Sequence, residues 1–315
     1  MNHPRLLDRR LFLGAGVAAA SGLLLAACTE GKPPEYLLGT GETGGFFNEF
    51  AALLARTVET AGASFRLVPR PSAGTAENLQ LLRAGAVNLA LALADAAAAA
   101  PEGLESVGRL YQNYFQLAVP AGSPIRAMSE LKGHVVSLGP DNSGTQFTGL
   151  RILEASGLTP RDITLRPVPL TEVTGAMGRG EIQAALFAGG FPVLAVDPDS
   201  GPRGSTAIRL IDLSAEQKVL RGRFGEVYMA ANIPAGVYGS AAEVGTIGVA
   251  SLLLARPDVP ASAVGSIVEI LVARAAELIP AGALGAQYLD ARSLISTSGI
   301  GLHPGAAAAY RRLHG

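Results

Sequence analysis

From Glu35 onward, short apolar runs alternate with stretches whose apolar residues recur at helical spacing. Glu35-Tyr36-Leu37-Leu38 predicts a strand closed by Gly39. Phe46, Phe50, Leu53, Leu54 and Val58 share one helical face and predict a helix over 46–61, with Gly62 as its C-cap. Phe65 to Val68 reads as the next strand, Pro69 to Gly74 as a turn, and Thr75 to Ala84 as a helix closed by Gly85. Val87 to Leu93 is apolar almost throughout, as a strand covered on both faces should be. This β-α-β-α-β order predicts a parallel sheet.

The pattern then repeats more loosely. Strands are predicted at 116–120, 134–138, 165–169, 182–187, 207–213 and 228–233, with helices at 125–131, 142–156 and 171–179. Thr246 to Ala255 is a long extended run, Ala261 to Leu278 an amphipathic helix, and the small-residue segment after it reads as a tail. Two similar α/β halves in series predict two lobes.

The first residues follow a different rule. Arg5, Arg9 and Arg10 precede an apolar stretch from Leu11 to Ala27, which falls short of the roughly 20 residues a membrane span needs. A basic head, a short apolar core and small residues at the exit describe a signal peptide over 1–27. Asp8-Arg9-Arg10-Leu11-Phe12-Leu13 resembles a twin-arginine export signal, and Leu25-Ala26-Ala27-Cys28 resembles a bacterial lipobox. Cys28 is the single cysteine of the 315 residues, which excludes an internal disulfide and a cysteine-built metal site. It is read as the lipid attachment point, with 28–34 as a tether. The expected location is periplasmic or cell-surface, anchored to a membrane through that lipid.

Charge narrows the function classes. Lys plus Arg number 25 and Asp plus Glu 26, and loss of 1–27 removes three Arg and one Asp, leaving a balance of about −3. With no basic run of five or more, nucleic acid is not an expected partner.

Several segments, taken in order, resemble the solute-binding proteins of TRAP transporters of the TAXI type. They are Gly39-Thr40-Gly41-Glu42-Thr43-Gly44-Gly45, Ser72-Ala73-Gly74-Thr75-Ala76-Glu77-Asn78-Leu79-Gln80-Leu81-Leu82, Leu131-Lys132-Gly133, Val136-Ser137-Leu138-Gly139-Pro140 with Ser143-Gly144-Thr145, Ile233-Pro234-Ala235-Gly236-Val237-Tyr238, and Leu302-His303-Pro304-Gly305-Ala306-Ala307. The resemblance implies an α/β periplasmic-binding-protein fold of the second type. Each of its two lobes would be a mostly parallel sheet flanked by helices, and the chain would cross between lobes twice. Lobe 1 is expected to comprise 35–118 plus 251–315 and lobe 2 to comprise 119–250. The resemblance also implies a small organic anion as ligand (a dicarboxylate, keto acid or acidic amino acid), a TRAP permease as partner, binding by lobe closure, no bond chemistry and no cofactor.

The residues suggest the same chemistry independently. Three Gly/Ser/Thr loops each open a helix: Gly41 to Phe46, Ser72 to Thr75 and Asn142 to Gln146. Unpaired amides and a partial positive charge at a helix N-terminus attract anions, and glycine lets the backbone approach closely. The plainer alternative is that Ser and Thr only cap their own helices. The candidate contacts are Gly41, Thr43, Gly44, Gly45, Phe46, Ser72, Gly74, Thr75, Asp95, Tyr111, Asn113, Asn142, Ser143, Gly144, Thr145, Gln146, Gly189 and Gly190. Where relatives of the TAXI type commonly end a strand in a Gln-Ser-Asp-like triplet, this chain has Leu93-Ala94-Asp95, which points to a solute with a less polar tail.

Gly39-x-Gly41-x-x-Gly44 also satisfies the dinucleotide fingerprint, so an exported NAD(P)-dependent oxidoreductase is a rival reading. The acidic residue it requires would fall near Glu59, within a predicted helix rather than at a strand end. A hydrolase is disfavoured by the lack of a Gly-x-Ser-x-Gly elbow around Ser143, and no His/Asp/Glu spacing suggests a metal. Glu42 and Asp141 read as solvated loop charges, with a divalent-ion contact as the alternative. A receptor for a signalling kinase would keep the fold and change the partner.

Overall fold

The computed structural model describes residues 32–197, 206–280 and 289–314. The signal peptide, Cys28 and the first part of the tether lie outside the described residues. From Glu35 the chain forms one compact unit. Its elements run β1 (Glu35–Gly39), α1 (Phe46–Thr60), β2 (Arg66–Arg70), α2 (Thr75–Arg83), β3 (Leu89–Leu93), α3 (Ala94–Ala99) and β4 (Glu105–Pro120). They continue through β5 (Val135–Ser137), α4 (Gly144–Ala155), β6 (Thr164–Leu165), α5 (Val173–Gly178), β7 (Ala184–Gly189), β8 (Ile208–Ile211), α6 (Ser214–Phe224) and β9 (Met229–Ile233). The last are β10 (Val244–Ala255), α7 (Ala261–Ala273), α8 (Ala291–Leu294) and α9 (Pro304–His314). No described helix is long and apolar enough to cross a membrane.

Two half-sheets follow one plan. In the first, β1 lies between β2 and β3, all parallel, and β10 adds antiparallel to β3 through Ser251–Ala255. In the second, β5 lies between β6 and β7, all parallel, and β4 adds antiparallel to β7 through Tyr114–Ala118. Each lobe therefore borrows its antiparallel strand from a segment that also serves the other. β4 and β10 pair with each other between these ends, from Glu105–Ala255 to Phe115–Ile247, with register shifts on the way. This central ribbon carries both crossovers and fuses the half-sheets into one ten-stranded sheet among the described residues. At about 3.3 Å per residue, the 16 residues of β4 reach about 50 Å, long enough to serve both lobes.

Helices cover the first half-sheet on both faces. Phe50, Leu54 and Val58 of α1 and Ile267 and Val268 of α7 pack with Leu38, Leu89 and Leu91 on one side. Leu79 and Leu82 of α2 and the alanines of α3 pack on the other. Leu38, Leu89 and Leu91 are fully buried, each worth about 2–3 kcal/mol of hydrophobic stabilisation. In the second half, α5 closes the sheet face through Val173 and Met177, against Ala185 and Phe187. Several elements differ from the sequence expectation. β4 begins at Glu105 rather than Gln116, α3 and α6 occupy stretches assigned no element, and the C-terminal tail contains α8 and α9. The helix expected at 125–131 is a single 3-10 turn at Met128–Leu131, and the strand expected at 165–169 is the two-residue β6.

Candidate functional site

All three predicted loops run from the end of a parallel strand into a helix, and they converge. After β1, Thr40 is fully buried and its amide donates to the Arg70 carbonyl at 3.0 Å. A turn follows, closed by the Gly45 amide donating to the Glu42 carbonyl at 3.0 Å, with Gly44 in the left-handed region at φ 81°. After β2, Gly74 holds φ 117° immediately before α2. After β5, Gly139 and Asn142 hold φ 86° and 62°, and Ser143 caps α4 by accepting from the Gln146 amide at 3.0 Å. The first amides of each helix have no acceptor within their own helix.

Asn78 binds two of these loops together from below. It is fully buried, and its Nδ2 donates to the carbonyls of Thr40 at 2.5 Å and Leu91 at 2.8 Å. Its Oδ1 accepts from the Ser72 hydroxyl at 2.7 Å. Gly39 is required there, because a Cβ would stand 2.7 Å from Asn78 Oδ1.

A cavity of about 60 Å³ lies where the loops meet. Space for one water is roughly 10–15 Å³ on this measure, so the cavity suits a small polar group. From the first lobe it is lined by Gly41, Glu42, Gly45, Phe46, Phe47, Ala73, Gly74, Thr75 and Leu93; from β4 by Asn113; and from the second lobe by Ser143, Gly144, Thr145 and Ala188. Two smaller cavities of about 30 and 20 Å³ share walls with it, the latter bounded by Val168, Leu170, Val173 and Leu186. No described Lys, Arg or His lines any of the three. The positive potential available is that of the helix N-termini and their amides. The Thr75 hydroxyl accepts from the Leu93 amide at 3.1 Å, which leaves its own hydrogen to donate.

Nine of the eighteen sequence candidates line this cavity: Gly41, Gly45, Phe46, Gly74, Thr75, Asn113, Ser143, Gly144 and Thr145. The other nine are elsewhere. Gly44 faces the 30 Å³ cavity, and Thr43 is exposed. Ser72, Asn142 and Gln146 build the loops: the Ser72 hydroxyl accepts from the Gly74 amide, and Gln146 bonds Asp141 and the Asn142 amide. The capping alternative applies to Ser143, which both caps its own helix and lines the cavity. Gly189 ends β7 and Gly190 follows it, where a Cβ on Gly190 would come within 3.2 Å of the Phe46 ring.

Tyr111 and Asp95 lie inside the protein rather than at the cavity. Tyr111 packs edge-on to Phe46 at 4.5 Å between centroids and against Phe50 at 5.1 Å, so it props the cavity's aromatic wall. Asp95 is fully buried and accepts from Thr148 at 2.6 Å and from Tyr228 at 2.8 Å, both from beyond the first crossover. Burial raises its pKa, opposed by those hydrogen bonds and by the nearby charge of Arg151.

The lining residues outside the sequence candidates are Phe47, Ala73, Leu93, Ala188 and, above all, Glu42, which had read as a solvated loop charge. The Glu42 carboxylate accepts from the Leu170 amide at 3.2 Å, across the cleft. Burial raises its pKa, and the Leu170 amide lowers it by less. Its position within a glycine-rich loop was the available signal.

Below β7, Tyr238 donates to Gln116 Oε1 at 2.7 Å and accepts from the Val193 amide at 2.6 Å, while Gln116 donates to the Gly190 carbonyl at 3.1 Å. Tyr238→Phe should cost about 1–2 kcal/mol, by orphaning that amide and the Gln116 oxygen. Urea denaturation checks this: the midpoint should fall with the m-value unchanged.

The dinucleotide reading gains nothing from the geometry. β2 ends in Arg70, and Glu59 sits on α1 facing Arg66 at 3.9 Å on the surface.

A family model described as NMT1-like family matches residues 38–312. Among solved structures, a putative L-cystine ABC transporter from Listeria monocytogenes gives a TM-score of 0.53 at 13% identity, covering 82% of this chain and 98% of that one. XAC2383 from Xanthomonas citri, bound to chloride ion, gives 0.52 at 14% identity over 89% and 99%. The periplasmic aliphatic sulphonate binding protein SsuA from Escherichia coli gives 0.44 at 15% identity over 89% and 79%. The two-lobed α/β architecture with paired crossovers is the periplasmic-binding-protein fold.

Proposed function

The chain belongs to the NMT1-like family, which its model matches over residues 38–312, and from that premise we propose that it is an extracytoplasmic receptor for a small organic anion. The observation that carries this reading is the convergence of three helix N-termini, two from the first lobe and one from the second, on one small cavity that no described basic side chain lines. Each helix end contributes amides and roughly half a positive charge, so together they can hold one carboxylate. The apolar walls of the neighbouring 20 Å³ cavity would take a short aliphatic tail.

Function would follow from closure. A ligand touching Thr75 on one side and Thr145 on the other stabilises the closed form by its differential affinity for it. The lobes would divide at 35–118 plus 251–315 and 119–250. The motif resemblance to TAXI-type proteins supports delivery to a TRAP permease. The lipobox supports a periplasmic or cell-surface receptor held to the membrane through Cys28.

Thermal-shift screening with C4 to C6 dicarboxylates, keto acids and amino acids tests the reading. A solute at 100 times its Kd adds about 2.7 kcal/mol. For a chain of this size that raises Tm by roughly 5–10 °C. Stabilisation by neutral sugars alone, or by simple cations alone, would overturn the anionic assignment.

A further inference from the structure

We infer that the solute carries a cationic nitrogen beside its anionic group, and that Glu42 is the residue that selects for it. This rests on the receptor reading above and narrows its ligand class.

Among the described residues, Glu42 is the one ionisable side chain that lines the main cavity. It also lines the apolar cavity beside it, so it stands between the polar and greasy parts of the cleft. The turn that carries it is pinned by the Gly45 amide on the Glu42 carbonyl, and its Oε2 is held by the Leu170 amide. No described Lys, Arg or His forms an ion pair with it.

A partly desolvated carboxylate without a counter-charge is costly. The fold does not require the charge, because a glutamine at 42 would accept from the Leu170 amide equally well. The three helix ends can neutralise one anionic head. A second negative group on the solute would then meet Glu42 across a cavity of only about 60 Å³ and be repelled. An ammonium group on the same small solute meets the opposite case. It supplies the missing counter-charge and charge-assisted hydrogen bonds. Burial, which raises the Glu42 pKa in the free protein, strengthens that pairing once a cation is enclosed.

The experiment uses matched solutes that differ only at the amine. One set is L-glutamate, 2-oxoglutarate and glutarate; the other is L-leucine, 4-methyl-2-oxopentanoate and 4-methylpentanoate. Each is titrated calorimetrically into the mature protein and into Glu42→Gln. In the native protein, the amino member of at least one set should bind roughly 10-fold or more tighter than its keto and des-amino partners. Glu42→Gln should weaken the amino member about 10-fold or more and leave the others equal or tighter, with Tm unchanged. Keto or des-amino solutes binding as well as the amino one to the native protein would overturn the inference while leaving the anion receptor intact. So would an amino solute indifferent to Glu42→Gln. Binding of amines without a carboxylate would instead overturn the anionic head and retain Glu42 as a cation site. Should no carboxylate bind at all, both readings fall. The native selectivity does not depend on the variant folding.

Discussion

Gly144→Val should weaken solute binding by roughly 100-fold, about 2.7 kcal/mol, while leaving each lobe folded. A Cβ at 144 would stand 2.4 Å from Thr75 Oγ1, 2.9 Å from Thr75 Cβ and 2.7 Å from Leu93 Cδ1. Thr75 has little freedom to yield: it is buried, and its hydroxyl holds the Leu93 amide. Leu93 ends β3 and is itself buried. The collision lies between the start of α4 and the strand and helix facing it, while the inner packing of α4 through Ile152 and Leu153 is untouched. The least costly relief is to move α4 away from α2, which opens the cleft and separates the two sides that would grip a ligand. If the closed form loses two orders of magnitude in population, affinity falls by the same factor. Titration calorimetry with the best solute measures the loss. Small-angle scattering should show that the variant no longer compacts on adding ligand. Affinity within about threefold of the native protein would remove this contact from the binding mechanism. Gly44 is less confined: a Cβ added there would meet Thr171 as its nearest neighbour, at 3.4 Å.

The strength of this prediction reflects what the sequence could and could not reveal. The order of β1, α1, β2, α2 and β3 was legible because each strand is a short apolar run and each helix begins after a glycine-rich loop. β4 was hidden for the opposite reason. Its middle carries Arg109, Gln112, Asn113 and Gln116, which read as a break, yet Asn113 finds a partner in Ser251 of β10 and Gln116 in Tyr238, between β9 and β10. α6 has too few apolar residues to register as a helix, and α9 buries Gly305, Ala306 and Ala309 with Tyr310 as its single large buried side chain. At the site, the loops were legible but their side chains were not separable. Ser72 and Thr75 are chemically alike at the same turn, yet one braces Asn78 and the other faces the cavity. Only the path of the chain around Asn78 decides which is which.

Asp95 shows the same limit with a larger energetic consequence. Its place after an apolar strand suggested a ligand contact, but it forms a buried bond between the lobes. Removing it by Asp95→Ala leaves the Thr148 and Tyr228 hydroxyls without their shared acceptor. At about 1–3 kcal/mol for each orphaned group, the cost should be roughly 2–5 kcal/mol. For a chain of this length that lowers Tm by about 5–15 °C. Asp95→Asn keeps one acceptor oxygen and should cost less. The pH dependence separates charge from shape. Because burial raises the folded pKa of Asp95 above its ordinary value of 3.8, the folded state binds the proton more tightly than the unfolded chain does. The stability contributed by the neutral carboxyl is therefore complete below the unfolded pKa and is lost as pH rises through the folded value. Asparagine cannot ionise and has no such loss. The difference in Tm between the native protein and Asp95→Asn should accordingly narrow as pH is raised from mildly acidic to neutral. Thermal unfolding of the native protein and both variants across that range reads the effect. A gap that widens with pH would mean that Thr148, Tyr228 and Arg151 outweigh desolvation and hold Asp95 as the anion. The latch between lobes would then be an ionic network extending to Arg151, whose guanidinium donates to the Tyr228 hydroxyl at 2.8 Å.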